Sequence, residues 1–116
     1  RAGGDVRVWN RTRERAEGLG VPIADEPAGT GMLVNCTSVG LEDPDALPAD
    51  PDGFDVVVDL VYRDGGTALV RRARAAGARV VDGLEILVRQ GALSFEAWSG
   101  RPAPLDDMRR AVGQEP

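Results

Sequence analysis

A chain of 116 residues with 28 Leu, Ile, Val and Phe side chains has enough apolar material for one core and one domain, and its 15 glycines and 8 prolines imply many turns. A net charge of −5 with no basic block argues against binding duplex nucleic acid, and no run approaches the roughly 20 apolar residues of a membrane helix. One cysteine and no histidine leave no internal disulfide and no Cys/His metal cluster, which fits a reducing, cytoplasmic setting; all 14 basic residues are arginine, so chemistry that needs lysine or histidine has no residue to perform it.

The chain opens at Arg1 with neither a methionine nor a signal-like apolar stretch, so it is expected to be a piece of something longer. Gly3-Gly4 fit the end of a helix, and the alternating Asp5-Val6-Arg7-Val8-Trp9 predicts a strand after it. Thr12 to Leu19 reads as a short helix capped by Thr12 and ended by Gly18 and Gly20, followed by an extended Val21 to Ile23 and a loop over 24–31. Met32 to Cys36, apolar and bounded by glycine and Thr37-Ser38, predicts a buried strand. Three prolines and five acids make 40–53 a surface loop. Phe54 to Val61 has the continuous β-branched character of a strand buried on both faces of a parallel sheet. Thr67 to Ala76 reads as a helix stopped by Gly77, and Ala78 to Asp82 as the next strand. Helices over 83–99 and 105–112 complete the chain.

Strand and helix alternate in units of about 25 residues, the pattern of an α/β layer with right-handed crossovers. Ligands of such sheets lie beyond the carboxyl ends of the strands, which selects Asn10 to Thr12, Thr37 to Gly40, Leu60 to Tyr62, and Asp82-Gly83. In dinucleotide-binding sheets an acid at the tip of the second strand favours a free ribose 2′-hydroxyl, whereas arginine accommodates a 2′-phosphate. Here the tip is Asn10-Arg11-Thr12, with Arg15 one helical turn from Arg11, so two guanidinium groups can close on one phosphate. The competing explanation is that Arg11, Arg13 and Arg15 pair with Glu14 and Glu17 on a solvated helix face.

Thr37-Ser38-Val39-Gly40 suits a loop lying against a cofactor or a plain turn; Ser38 has no histidine to activate it, and Cys36 reads as a small core residue. On the long helix, Glu85, Arg89, Ala92 and Glu96 form one stripe, expected to face solvent. Gln90 shares the other face with Ile86, Leu87, Leu93 and Ala97, so its amide needs either backbone partners or a polar ligand in a cleft.

Four segments occur in order: Asn10-Arg11-Thr12 with Arg15-Ala16-Glu17, Asn35-Cys36-Thr37-Ser38-Val39-Gly40, Val58-Asp59-Leu60-Val61-Tyr62, and Val81-Asp82-Gly83-Leu84-Glu85-Ile86-Leu87-Val88-Arg89-Gln90-Gly91-Ala92. Together they resemble the carboxyl-terminal, NADP-binding half of the shikimate dehydrogenase family. The resemblance implies a Rossmann-type doubly wound parallel sheet that lacks its first strand and glycine-rich loop, with 1–116 as one partial NADP-binding domain. It implies reversible hydride transfer between NADPH and 3-dehydroshikimate, completed by an amino-terminal substrate domain. Asn10, Arg11, Thr12 and Arg15 would hold the adenosine 2′-phosphate, with Thr37, Ser38 and Val39 beside the cofactor. Leu60 and Gly83 would lie near the nicotinamide with Ile86 packed against it, and Tyr62 and Gln90 would reach the hydroxyls or carboxylate of shikimate. No catalytic residue is expected in this chain, because the family's catalytic lysine and aspartate belong to the other domain.

Arg63-Asp64-Gly65-Gly66-Thr67 lacks the proline common in that loop of the family, which leaves the loop's shape open. A quinate/shikimate relative and a non-catalytic dinucleotide-binding or interaction module remain as alternatives. In the strand order 3-2-1-4-5-6, the strand ending at Trp9 is the second and Met32 to Cys36 the fourth, so the strand between them is absent and the two edges are expected either to stand apart at about twice the normal spacing or to collapse onto each other.

Overall fold

The structure is a computed structural model that describes residues 3–114. Its centre is a parallel three-stranded sheet of β1 (Met32–Asn35), β2 (Val56–Asp59) and β3 (Arg79–Val81), in that spatial order. Val57 on the middle strand lies opposite Leu33 on one side and Val80 on the other. Between β2 and β3 runs α2 (Ala68–Ala75), which starts where the Thr67 side chain accepts the Val70 N–H. The helix ends at Ala76, and Gly77 reverses the chain at a φ of +83°. Leu69, Val70 and Ala73 on α2 are fully buried; Leu69 and Ala73 pack on Val57, with Leu33, Phe54 and Val80 around them. Each such Val or Leu stabilises the fold by roughly 1.5–3 kcal/mol through the apolar surface it removes from water.

Burial is one-sided. Leu33, Asn35, Val57 and Asp59 alternate onto the face covered by α2, whereas Met32 and Val34 are exposed and Val56 and Val58 only half-buried. The expected burial of β1, and of β2 on both faces, is therefore corrected: among the described residues α2 supplies a layer on one face alone. Cys36 is likewise exposed and not a core residue.

The strand expected over Asp5 to Trp9 contracts to a single parallel bridge between Val8 and Ile23, with the Val8 N–H on the Pro22 carbonyl at 2.9 Å and the Ala24 N–H on the Val8 carbonyl at 2.8 Å. Pro22 has no N–H to offer a longer ladder. The helix expected from Thr12 to Leu19 shortens to α1 (Glu14–Glu17), and the Thr12 side chain does not cap it. The Asn10 amide instead donates to the Thr12 carbonyl at 2.9 Å and fixes the turn that enters the helix. The helical turn expected before Gly3 lies outside the described residues. Among the described residues no strand pairs with the outer edge of β1, and the Val8 to Ile23 bridge is not part of the sheet.

Arginines lash the 40–53 loop onto the α2 layer: Arg63 donates to the Leu41 carbonyl, Arg71 to the Pro44 carbonyl and Asp45, and Arg72 to Asp50 and Asp52. The long helix α3 (Gly83–Ser99) has the expected bounds, because Asp82 accepts the Glu85 N–H at its start and Gly100 takes the left-handed conformation at its end. The last helix, α4 (Leu105–Ala111), stops one residue short of the expected 112.

The face assignment on α3 holds at Arg89 and Glu96, which are exposed, and fails at Glu85 and Ala92, where the chain around α4 covers the helix. Glu85 accepts from Arg109 at 2.8 and 3.2 Å as well as from Arg89 at 2.5 Å; Ala92 is buried, and Glu96 accepts the Ala103 N–H at 3.0 Å. Part of the charged stripe is thus a seam between helices. Gln90, Leu93 and Ala97, on the face expected to be buried, are exposed.

The hydrogen bond from Arg109, aided by Arg89, holds the Glu85 carboxyl below its ordinary value near 4.5. A carboxylate depressed in the folded state stabilises it above the unfolded pKa, and that stabilisation is lost as the pH falls through the folded value. Glu85→Gln is therefore expected to lower the Tm at pH 7, and the difference from the unaltered protein should shrink as the pH falls below 4.5 and through the lowered folded value. Melting curves across pH 3–7 check this, and a constant difference at all pH values would count against the seam.

Candidate functional site

The carboxyl ends of β1 and β2 lie side by side, joined beyond the paired strands by a hydrogen bond from the Leu60 N–H to the Asn35 carbonyl at 3.1 Å. Thr37 and Ser38 are exposed and Val39 half-buried on one loop; Leu60 and Tyr62 are exposed on the next. Ser38 and Val39 open onto a cavity of about 270 Å³ whose further wall includes Glu42 and Asp43, an acidic lining unsuited to phosphate.

Gly83 joins this edge from the start of α3. A Cβ there would stand 2.5 Å from the Val61 carbonyl oxygen and 2.7 Å from the Tyr62 nitrogen. Its lack of a side chain lets the helix start touch the backbone that carries Leu60 and Tyr62. Ile86 is half-buried one turn further along, and Gln90 another turn on. Gln90 is exposed and its side chain has no hydrogen-bond partner among the described residues, so the expectation of a buried amide is corrected and its polar atoms are open to solvent. Thr37, Ser38, Val39, Leu60, Tyr62 and Gly83 are brought together, with Ile86 and Gln90 continuing along α3.

Behind this edge lies a polar network that the sequence does not announce. Asn35 and Asp59 are register partners on the α2 face, 5% and 0% exposed. Asp59 Oδ1 accepts from Asn35 Nδ2 at 2.9 Å and from the Val61 N–H at 3.1 Å, and its Oδ2 accepts from Thr67 Oγ1 at 2.5 Å. Asn35 Oδ1 accepts from both the N–H and the hydroxyl of Thr37, at 3.0 and 2.7 Å, and the Thr37 hydroxyl accepts the Val39 N–H at 3.2 Å. The one available signal was an acid in a β-branched run at the inward parity of Val57, since a buried carboxylate requires partners.

The loop after Tyr62, left open by its missing proline, is a tight turn. The Gly66 N–H meets the Arg63 carbonyl at 3.0 Å, and Gly65 and Gly66 both adopt the left-handed region, at φ +76° and +79°. Thr67 follows directly and is both the cap of α2 and a donor to Asp59.

Asn10, Arg11, Thr12 and Arg15 follow Val8 on a segment that holds one isolated bridge in place of the expected strand, and among the described residues that segment pairs with no strand of the sheet. Arg13 pairs with Asp25 at 2.9 Å. Arg11 and Arg15 are exposed and have no acidic partner among the described residues, so the helix-face pairing with Glu14 and Glu17 does not form. Two free guanidinium groups beside a turn without an acid fit the 2′-phosphate of a dinucleotide.

The chain is similar to known proteins in both sequence and fold. Residues 83–112 match the family described as the shikimate 5′-dehydrogenase C-terminal domain. The NADP(+) shikimate dehydrogenase of Halorubrum lacusprofundi is 42% identical over an alignment covering 98% of the chain and 47% of that protein. The shikimate 5-dehydrogenase of Thermus thermophilus, solved in complex with NADP(H) and shikimate, superposes with a TM-score of 0.80 at 41% identity, over 97% of the chain and 46% of that structure. The Aquifex aeolicus shikimate dehydrogenase gives a TM-score of 0.78 at 34% identity, over 93% and 44%. The fold is that of a Rossmann-like α/β domain. More narrowly, the chain belongs to the shikimate dehydrogenase family, matching its carboxyl-terminal domain. It spans about half the length of the relatives it matches.

Proposed function

We propose that residues 1–116 form the NADP-binding portion of a shikimate dehydrogenase, which reversibly reduces 3-dehydroshikimate to shikimate with NADPH once joined to an amino-terminal substrate domain. The observation that carries the dinucleotide assignment is the pair Arg11 and Arg15, exposed and without acidic partners among the described residues, at the Asn10 to Thr12 turn, which has no acid. In the proposed arrangement Asn10 and Thr12 shape the phosphate turn, and Thr37, Ser38 and Val39 line the cofactor's path. Leu60, Gly83 and Ile86 face the nicotinamide, which supplies the hydride when bound. Tyr62 and Gln90 orient the substrate with their exposed polar ends. In the proposed arrangement the proton that accompanies the hydride is handled by the amino-terminal domain, as the family resemblance implies, and Tyr62 only orients the substrate. The proposed setting is cytoplasmic; no helix among the described residues is long and apolar enough to cross a membrane.

The test is NADP-dependent oxidation of shikimate by the full-length protein, with no such turnover opposing the assignment. Within that assay, Gln90→Ala is expected to raise the shikimate KM or lower kcat by roughly tenfold to a hundredfold, the effect of losing one hydrogen bond of about 1–3 kcal/mol to a buried ligand group. Its melting temperature should not move, because the side chain is exposed and makes no hydrogen bond among the described residues. Unchanged kinetics would remove Gln90 from the substrate site.

A further inference from the structure

Asp59 is fully buried, on the same face of β2 as Val57, where an apolar side chain would fill the space without the cost of desolvating a carboxylate. What distinguishes the carboxylate from a filler is where its partners lead. The Val61 N–H that it accepts lies between Leu60 and Tyr62, so this bond fixes the strand tip carrying both candidate contacts. The Asn35 amide that it accepts is oriented by the same bond, with its oxygen turned to the N–H and hydroxyl of Thr37. A flipped Asn35 would set its NH₂ against Thr37 and its oxygen against Asp59, so one orientation satisfies the set. Thr37 in turn accepts the Val39 N–H, and Asn35 Nδ2 also approaches the Val39 carbonyl at 3.4 Å. On the other oxygen, Thr67 closes the turn that follows Tyr62. No buried polar side-chain atom among the described residues is left without a partner.

We propose that Asp59 is a positioning residue: one buried carboxylate sets the cofactor-facing loop Thr37 to Gly40 and the substrate-facing tip Leu60 to Tyr62 in a single geometry, so the contacts to both ligands depend on it. The proposal rests on the dehydrogenase reading for the identity of the two ligands, but the mechanical link between the two loops does not. Asp59 touches neither ligand. It acts through Val61, Asn35 and Thr67.

The experiment uses the full-length protein with Asp59→Asn and with the pair Thr67→Val and Thr67→Ser. Asparagine keeps the size of Asp59 but turns one acceptor oxygen into a donor, so at least one of the surrounding donors goes unanswered. Thr67→Val removes the hydroxyl at constant shape, and Thr67→Ser restores it, which keeps the test decisive if Asp59→Asn does not fold. The expected result is a joint rise of about threefold or more in the KM for NADP and for shikimate in Asp59→Asn and Thr67→Val, with recovery in Thr67→Ser. Amide hydrogen exchange over 37–40 and 60–62 should rise together in the same variants and fall back with serine. A purely structural carboxylate would lower the Tm and leave both KM values within twofold of the unaltered protein; that result, or a change confined to one ligand or one loop, overturns the proposal. If the unaltered protein does not oxidise shikimate, the dehydrogenase reading fails, and the exchange measurement alone decides whether Asp59 couples the loops.

Discussion

Arg11→Ala in the full-length protein is expected to reduce kcat/KM for NADP by about tenfold to a hundredfold while leaving NAD nearly unaffected, and Arg11→Ala with Arg15→Ala to remove the preference for NADP. A hydrogen bond between charged groups is worth roughly 1.5–3 kcal/mol, and the 2′-phosphate offers such bonds where the 2′-hydroxyl of NAD does not. The magnitude follows from the surroundings of the two arginines. Neither has an acidic partner among the described residues, so neither has to leave an internal ion pair to meet the phosphate, unlike Arg13, which is engaged with Asp25. Arg13→Ala is accordingly expected to change neither cofactor's kinetics by more than about twofold, given the small worth of an exposed pair. Steady-state kinetics with both cofactors check the set. An equal loss with NAD and NADP would show that Arg11 supports the loop and does not read the phosphate.

Gly83→Ala should be the most damaging single methyl addition at this edge. A Cβ at 2.5 Å from one backbone oxygen and 2.7 Å from a backbone nitrogen has no flexible side chain to push aside, so either α3 or the Leu60 to Tyr62 strand tip must move. Overpacking of this kind costs typically 1–3 kcal/mol, and the whole displacement falls on residues assigned to the nicotinamide and the substrate. The expected outcome is a lower denaturation midpoint together with a loss of kcat/KM larger than the loss of folded protein accounts for. Gly91→Ala is the control, since a Cβ there meets only the tip of Met108 at an ordinary 3.8 Å. An unchanged midpoint for Gly83→Ala would mean that the helix start is looser than the structure has it.

These tests concern residues of unequal legibility. The bounds of α3 could be read directly, because Asp82 and Gly100 are local signals acting within a turn of the residues they cap. The face that α3 presents could not. Glu85 and Glu96 form a charged stripe that mimics a solvent side, and only the arrival of Arg109 and Ala103 from later in the chain makes part of it an interface. That Thr37, Leu60 and Gly83 share one edge was legible, because a parallel sheet places its strand ends on the same side. The Asp59 network was not, since it depends on the register that sets Asn35 opposite Asp59, and register is a property of two strands. The burial of β1 was overestimated for a related reason: apolar content is local, but whether a face is covered depends on another layer.

Each described strand of the sheet pairs with the next one in sequence, and α2 is formed from the segment between β2 and β3. Residues 56–81 are therefore a contiguous strand-helix-strand unit whose contacts close over short stretches of chain, and the hydrophobic cluster of Val57, Leu69 and Ala73 lies within it. The β1–β2 and β2–β3 pairings close over nearly equal lengths of chain, so loop-closure entropy favours neither, and what sets the second pair apart is α2, which packs on both of its strands. Asp59 and Thr67 both belong to this unit, whereas Asn35 and Thr37 come from β1 and the loop after it. A loosening of β1 would therefore release the Thr37 side of the strand ends while the Tyr62 side stayed tied through Asp59 to Thr67.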